Sequence, residues 1–181
     1  YQAYDFTLDE ANQAIHLTNT DLVLKSKQLY SHLKYAKQIV LLAATLGIEV
    51  ERQVRRYEFS EMTKAFVLDS ACVDYIEKIC DLAEVDIDAQ FPDCVLNRRF
   101  SPGYGDLSLE IQPQFLKTLG ADRLLGLTLT ENYLMIPRKS ITAILGLFED
   151  DKVARPRRKP SKNLTINMVK TGNFNVMGVT P

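Results

Sequence analysis

Apolar residues recur at intervals of three and four over residues 60–84, the longest periodic stretch in the chain. Ala65, Leu68, Cys72, Ile76, Ile79 and Ala83 make one stripe, and Asp69, Asp74, Glu77, Lys78 and Asp81 fall off it. The pattern predicts a long helix with one face on a core. The apolar run 39–44 predicts a strand buried on both faces, ended by Thr45-Leu46-Gly47. A short helix over 48–57 follows. Residues 125–129 and 140–148 predict two more strands, joined by an irregular connection over 131–139 that contains Pro137. Near the start, Tyr4-Asp5-Phe6-Thr7-Leu8 alternates like a half-buried strand, with 14–17 as its partner across the polar 9–13. Leu22-Val23-Leu24 is a short apolar piece. Ser26 is placed to cap a helix through Leu33, with Leu29, Tyr30 and Leu33 on one side. Phe91-Pro92 breaks the long helix. Residues 109–119 predict a helix with Pro113 in its first turn and Gly120 as its stop. Strands and helices mix without a steady βαβ alternation. The expected class is α+β, with a largely antiparallel twisted sheet and flanking helices.

Composition narrows the picture. A hydrophobic content of 46% and a charged content of 25% in 181 residues describe an ordinary globule of one domain. That domain is placed over residues 1–148. From 149 the composition shifts to a linker and tail, where residues 152–162 hold six positive charges and two prolines. The run reads as a solvated linker or as a docking strip for an acidic partner. Residues 164–181 have modest β character and no assigned role.

A formal charge of −1 gives no general pull toward nucleic acid or anionic membrane. No apolar run approaches the ~20 residues of a membrane span. The chain opens at Tyr1 with neither a signal-peptide pattern nor a basic amphipathic leader. Three cysteines, Cys72, Cys80 and Cys94, form no C-x-x-C pair, so a disulfide framework is not expected and a reducing cytoplasm is. Cys72 and Cys80 lie on or beside the apolar stripe and read as core thiols. The two histidines, His16 and His32, have no plausible ligand nearby in sequence, and no metal site is expected.

The candidate chemistry sits in one loop. Arg99-Phe100-Ser101-Pro102-Gly103-Tyr104 puts a planar cation, a bare stretch of backbone and an aromatic hydroxyl close together. A guanidinium can take a carboxylate through two parallel hydrogen bonds. Gly103 permits positive φ or close approach, and Tyr104 offers a ring face with a polar tip. The set suits a zwitterion such as an amino-acid conjugate. A plainer reading stays open, in which Arg99 pairs with a nearby acid and Pro-Gly makes a turn.

Taken with Gly105-Asp106 and with Leu127-Thr128-Leu129-Thr130-Glu131-Asn132-Tyr133-Leu134-Met135-Ile136-Pro137-Arg138-Lys139-Ser140, the loop resembles the activation domain of cobalamin-dependent methionine synthase. The short, separately encoded relatives of that domain are nearer still. Leu24-Lys25-Ser26-Lys27-Gln28-Leu29, Leu41-Leu42-Ala43-Ala44-Thr45-Leu46-Gly47 and Arg55-Arg56-Tyr57 also look like those relatives, so the likeness runs over about residues 22–148. The resemblance implies S-adenosylmethionine as bound cofactor and a role in the reductive remethylation of a corrinoid (cobalamin, vitamin B12) during methionine biosynthesis. One electron reduces the cobalt and S-adenosylmethionine supplies the methyl. It implies that Arg99 holds the methionine carboxylate, that the backbone of Ser101 and Gly103 faces the ligand, and that Tyr104 closes the motif, with Glu131 as a weaker candidate. The partners implied are corrinoid-binding methionine synthase modules and a flavodoxin-like electron donor. No catalytic acid, base or nucleophile is expected, because such a domain works by positioning.

The chain also departs from the pattern. No tyrosine follows Phe148, where full-length methionine synthase has one near the ligand, and no cysteine follows Cys94, where the short relatives commonly end in a cysteine cluster. The D-x-H-x-x-G cobalamin sequence is absent, so any corrinoid is reached through a partner protein. The acidic ligand contacts of the full-length enzyme have no clear match among Asp69, Asp74 and Glu77. The alternative reading is a non-catalytic interaction subunit that keeps the fold and has lost the ligand.

Overall fold

Residues 38–45 and 140–148 are apolar on both faces, and they pair with one another along almost their whole length. Everything else packs on one side or the other of that pair. The computed structural model describes residues 1–149, and the backbone alone of 167–171 and 174–178. In chain order the first elements are β1 (Gln2–Tyr4), β2 (Phe6–Asp9), β3 (Ala14–Leu17), β4 (Val23–Lys25), α1 (Lys27–Leu33) and β5 (Gln38–Thr45). Next come α2 (Ile48–Ser60), α3 (Met62–Gln90), β6 (Val95–Leu96), a 3-10 turn (Leu109–Ile111), α4 (Gln112–Leu119) and α5 (Ala121–Leu125). The chain continues as β7 (Thr128–Leu129), β8 (Met135–Ile136), β9 (Ser140–Phe148), β10 (Asn167–Thr171) and β11 (Phe174–Gly178).

The central sheet has the order β1-β5-β9-β6, with every neighbouring pair antiparallel. β2, β3 and β4 form a separate antiparallel meander, and β7–β8 and β10–β11 are two-stranded hairpins. The fold is α+β, with antiparallel sheets and flanking helices.

Side chains alternate across a strand, so β5 and β9 feed two cores. Ile39, Leu41 and Ile144 face a cluster with Ile15, Leu24, Leu29, Leu33, Phe115 and Leu127, which belong to the meander, α1, α4 and the approach to β7. Val40, Leu42, Ala143, Leu145 and Leu147 face the other cluster, where α3 contributes Ile76, Ile79, Cys80, Ala83 and Ile87. The long helix is thus buried along the stripe that its spacing predicts, except that Leu68 is only half-buried and the helix runs on to Gln90.

Several local expectations hold closely. Ser26 Oγ accepts from the Leu29 N–H at 2.9 Å and caps α1. Gly120, with φ 65°, ends α4, and Pro113 sits in its first turn. Four expectations need correction. Residues 4–8 are not one strand, because the chain breaks at Asp5 and its halves enter different sheets as β1 and β2. The expected strand over 125–129 shrinks to β7, because Ala121 opens one more helical turn that buries Ala121 and ends at Gly126 with φ 66°. The connection over 131–139 is not wholly irregular, since Met135 and Ile136 pair with β7. The helix placed over 48–57 extends to Ser60. The basic run 152–162 lies outside the described residues.

β9 tolerates nothing larger than glycine at 146. A Cβ there would meet Phe148 Cε2 at 2.7 Å and Leu33 Cδ2 at 2.8 Å. Buried Asn97 clamps the same residue, since its Oδ1 accepts from Gly146 N–H at 2.7 Å and its own N–H donates to Gly146 O at 3.1 Å. Gly146→Ala is expected to cost about 1–3 kcal/mol through overpacking. Asn97→Ala is expected to cost a similar ~1–3 kcal/mol by leaving a buried N–H unpaired. Urea denaturation checks both, and an unchanged midpoint in either would show that β9 has slack here.

Candidate functional site

The loop between β6 and the 3-10 turn is fastened to three parts of the fold. Its start joins the central sheet, where Phe100 N–H donates to Ile144 O at 2.9 Å and Ile144 N–H returns the bond at 2.8 Å. Its flanks are tied to the two ends of α1. His32, in the last turn, donates from Nε2 to Arg98 O at 2.9 Å, which fixes the tautomer because a carbonyl only accepts. At the other end the Asp106 carboxylate takes the Ser26 hydroxyl and the Lys27 N–H, the latter at 2.7 Å. A carboxylate is favoured there by the unsatisfied N–H groups of the first helical turn.

Between these ties the chain turns tightly. Tyr104 N–H donates to Ser101 O at 3.0 Å, and Gly103 N–H to Leu107 O at 2.8 Å. Gly103 has φ +87° and Gly105 has φ +58°, both left-handed. A Cβ on Gly105 would meet only the mobile end of the exposed Gln28 side chain, so this turn calls for glycine chiefly through its φ. The Tyr104 ring is 71% exposed and stands edge-on to Phe100 at 5.8 Å; Phe100 in turn lies 5.8 Å from the His32 ring. The three rings form a short ladder from α1 out to solvent.

Arg99 points the other way, onto α3. Its Nη1 lies 2.7 Å from Glu84 Oε1 and 3.2 Å from Asp81 Oδ1, and its Nη2 lies 2.9 Å from Glu77 Oε2. The three acids are spaced four and three residues apart and so share one face of α3. Only 21% of the Arg99 side chain and 6% of the Glu84 side chain reach solvent. Burial alone would weaken the charge on Arg99, but Glu84, Glu77 and Asp81 outweigh it and hold the guanidinium more firmly protonated than usual. The nearby Cys80 thiol is pushed up to about 12 by burial, which makes it inert packing.

This arrangement changes the role expected for Arg99. The cation is not waiting for a ligand carboxylate. Three protein carboxylates already hold it, as the plainer reading of the loop has it. The backbone of Ser101 and Gly103 is likewise committed, through Ser101 O and Gly103 N–H, to bonds within the turn. Open to solvent at the loop are the Tyr104 ring and hydroxyl. Glu131 is exposed at the tip of the β7–β8 hairpin, beside Tyr133 with φ 61°, and no described contact joins it to Arg99 or Tyr104. The fold therefore brings Arg99, Ser101, Gly103 and Tyr104 into one unit without Glu131. It adds Glu77, Asp81, Glu84 and His32, none of which the loop sequence points to, and gives Asp106 of the loop a tie to α1. Glu77, Asp81 and Glu84 carry a legible signal, an acidic i, i+4, i+7 row beside the apolar stripe. His32 has no signal beyond its type.

A small cleft elsewhere is lined by Glu51, Arg55, Asp69, Arg138 and Lys139 and shares no residue with the loop. Four of its charges are paired, Arg55 with Glu51 at 2.9 Å and Lys139 with Asp69 at 2.8 Å. No helix among the described residues is long and apolar enough to cross a membrane. No protein-family model matches the chain, and no curated protein matches it.

Arg99→Ala is expected to cost about 2 kcal/mol. It strands Glu84 beside two like charges, and the cost falls below that of a fully buried pair because Glu77 and Asp81 stay partly in water. Arg99→Lys is expected to recover only part, since one ammonium cannot fan across three carboxylates. Chemical denaturation checks both. Asp106 supplies a pH test. The Ser26 hydroxyl, then the Lys27 and Gln28 N–H groups, hold its carboxyl below the usual 3.8. A lowered carboxyl stabilises the fold above 3.8, and that contribution disappears as pH falls through the lowered value. Asp106→Asn should flatten the acid limb of stability against pH below 3.8, and an unaltered limb would show that the tie carries no weight.

Proposed function

We propose that this chain is a methionine synthase activation-type module, which binds S-adenosylmethionine at the 98–106 loop and supports reductive remethylation of a corrinoid held by a partner protein. The sequence resemblance supplies the identity of the ligand. The observation that carries the reading is the charge balance beside the loop. One guanidinium faces three carboxylates, which leaves an excess of two negative charges within the cluster. S-adenosylmethionine carries one carboxylate and two cationic centres, an ammonium and a sulfonium. Its cationic centres suit Glu77 and Asp81, both part-exposed, while the Tyr104 ring gives a flat face for an adenine.

In this reading Arg99 gathers the acids, and the amino-acid end of the ligand is held chiefly by them. The chemistry itself belongs to ligand and partner: an electron from a flavodoxin-like donor reduces the cobalt, the methyl passes to it from the sulfonium, and S-adenosylhomocysteine departs. The chain's own work is to hold the donor in line, a proximity effect. One observation favours the second reading, an interaction subunit without ligand: the guanidinium that the family motif assigns to the ligand carboxylate is already taken by Glu77, Asp81 and Glu84.

Titration calorimetry separates the two. If the surplus acids read the sulfonium, S-adenosylmethionine binds at least about tenfold more tightly than S-adenosylhomocysteine, which lacks that charge. Such a ratio corresponds to ~1.4 kcal/mol, a screened interaction of unit charges at the edge of a protein. Tyr104→Ala should weaken binding several-fold and leave stability within about 0.5 kcal/mol, because the ring is largely in water. Absence of heat with S-adenosylmethionine at millimolar concentration would favour the subunit without ligand.

A further inference from the structure

The cleft between α2, α3 and the approach to β9 is lined by three acids and three bases, and one of each is left over. Glu51, Val54, Arg55 and Glu58 share one face of α2, because at about 100° per residue they fall within a span of about 100°. Asp69 comes from α3, and Arg138 and Lys139 precede β9. The Arg55–Glu51 and Lys139–Asp69 pairs cancel. Arg138 and Glu58 line the same cleft, yet among the described residues no ion pair joins their charged groups to each other or to a neighbour.

Buried Glu51 explains why Arg138 is left over. Its Oε1 is committed to Arg55, and its Oε2 accepts from the Arg138 backbone N–H at 3.0 Å. That bond also fixes where Arg138 starts. Ser140 Oγ donates to Pro137 O at 2.6 Å, and Leu46 N–H donates to Lys139 O at 2.9 Å, so the backbone on either side is held as well. The Arg138 side chain leaves this anchored backbone exposed to solvent, and Glu58 is exposed too.

The charges and the size of the cleft select the ligand. A lone anion gains from Arg138 and loses to Glu58, and a lone cation does the reverse. A group that carries both signs gains from both. A guanidinium takes a carboxylate through two parallel hydrogen bonds, and a carboxylate accepts from the N–H donors of an ammonium. The volume, ≈ 40 Å³, has room for a few water-sized groups, which suits a head group and not a nucleotide or a sugar. Buried Val54 adds a small apolar contact.

We propose that this cleft binds the zwitterionic head of a free α-amino acid, with the carboxylate on Arg138, the ammonium on Glu58 and the side chain directed to solvent. The cleft shares no residue with the 98–106 loop, so the inference stands apart from S-adenosylmethionine binding there.

The test titrates the isotope-labelled full chain with L-alanine and follows the backbone amide shifts. The Arg138 and Lys139 amides are expected to move and to saturate in the millimolar range, because exposed charge pairs are individually weak. N-acetyl-L-alanine lacks the ammonium and L-alanine methyl ester lacks the carboxylate, and each is expected to bind at least about threefold more weakly. Arg138→Gln and Glu58→Gln should each weaken L-alanine by at least about threefold. Both positions are exposed, and a thermal melt confirms that the variants stay folded. Tyr104→Ala should leave L-alanine binding unchanged, which separates this outcome from failure of the loop site. No saturable shift with L-alanine overturns the proposal, as does equal affinity in wild type and either variant. N-acetyl-L-alanine binding as tightly as L-alanine also overturns it, since the cleft would then read an anion only.

Discussion

The guanidinium of Arg99 lies between a loop and a helix whose sequence positions are fifteen to twenty-two residues away, and the character of the whole surface follows from it. Three carboxylates on one helical face would repel one another strongly without a shared cation. With it they are held close together and only partly in water. The cluster is structural, because it ties the loop to α3. It is also chemically biased, because one positive charge cannot neutralise three negative ones. A structural ion pair and a polarised site are here the same set of atoms.

The loop is positioned with equal care on its other side. α1 is only seven residues long, yet it holds the loop at both ends, through Asp106 at its first turn and His32 at its last. α1 is itself held by Leu29 and Leu33 in the core and by the close approach of Leu33 to Gly146. The Phe100–Ile144 bridge ties the loop directly to β9. Between these supports, only Tyr104 projects freely. A tied-down turn with one exposed aromatic suits binding by surface contact better than it suits acid–base chemistry.

The same helix that supplies the acids leaves Met62 and Phe66 exposed to solvent farther along. Its buried stripe packs on the sheet and its acids hold Arg99.

Local physics made much of the fold readable. The i, i+3, i+4 spacing on α3, the Ser26 cap, the doubly buried strands at 39–44 and 140–148 and the Gly120 stop all depend on near neighbours, and each lies close to its expected place. The errors came where a distant partner decided: Asp5 is a break because β1 and β2 join different sheets, and 121–125 is helical because Ala121 is buried there. The site divided in the same way. Arg99 and the Gly103 turn were visible as residue types, while the direction of the guanidinium was not. A charged side chain goes to the strongest field within reach, and that field comes from Glu77, Asp81 and Glu84, which only folding brings to the loop. The sequence by itself determined which segments coil and which extend, because those choices are local; the tertiary structure alone decided what each charge faces, because Coulomb energy depends on separation in space and not along the chain.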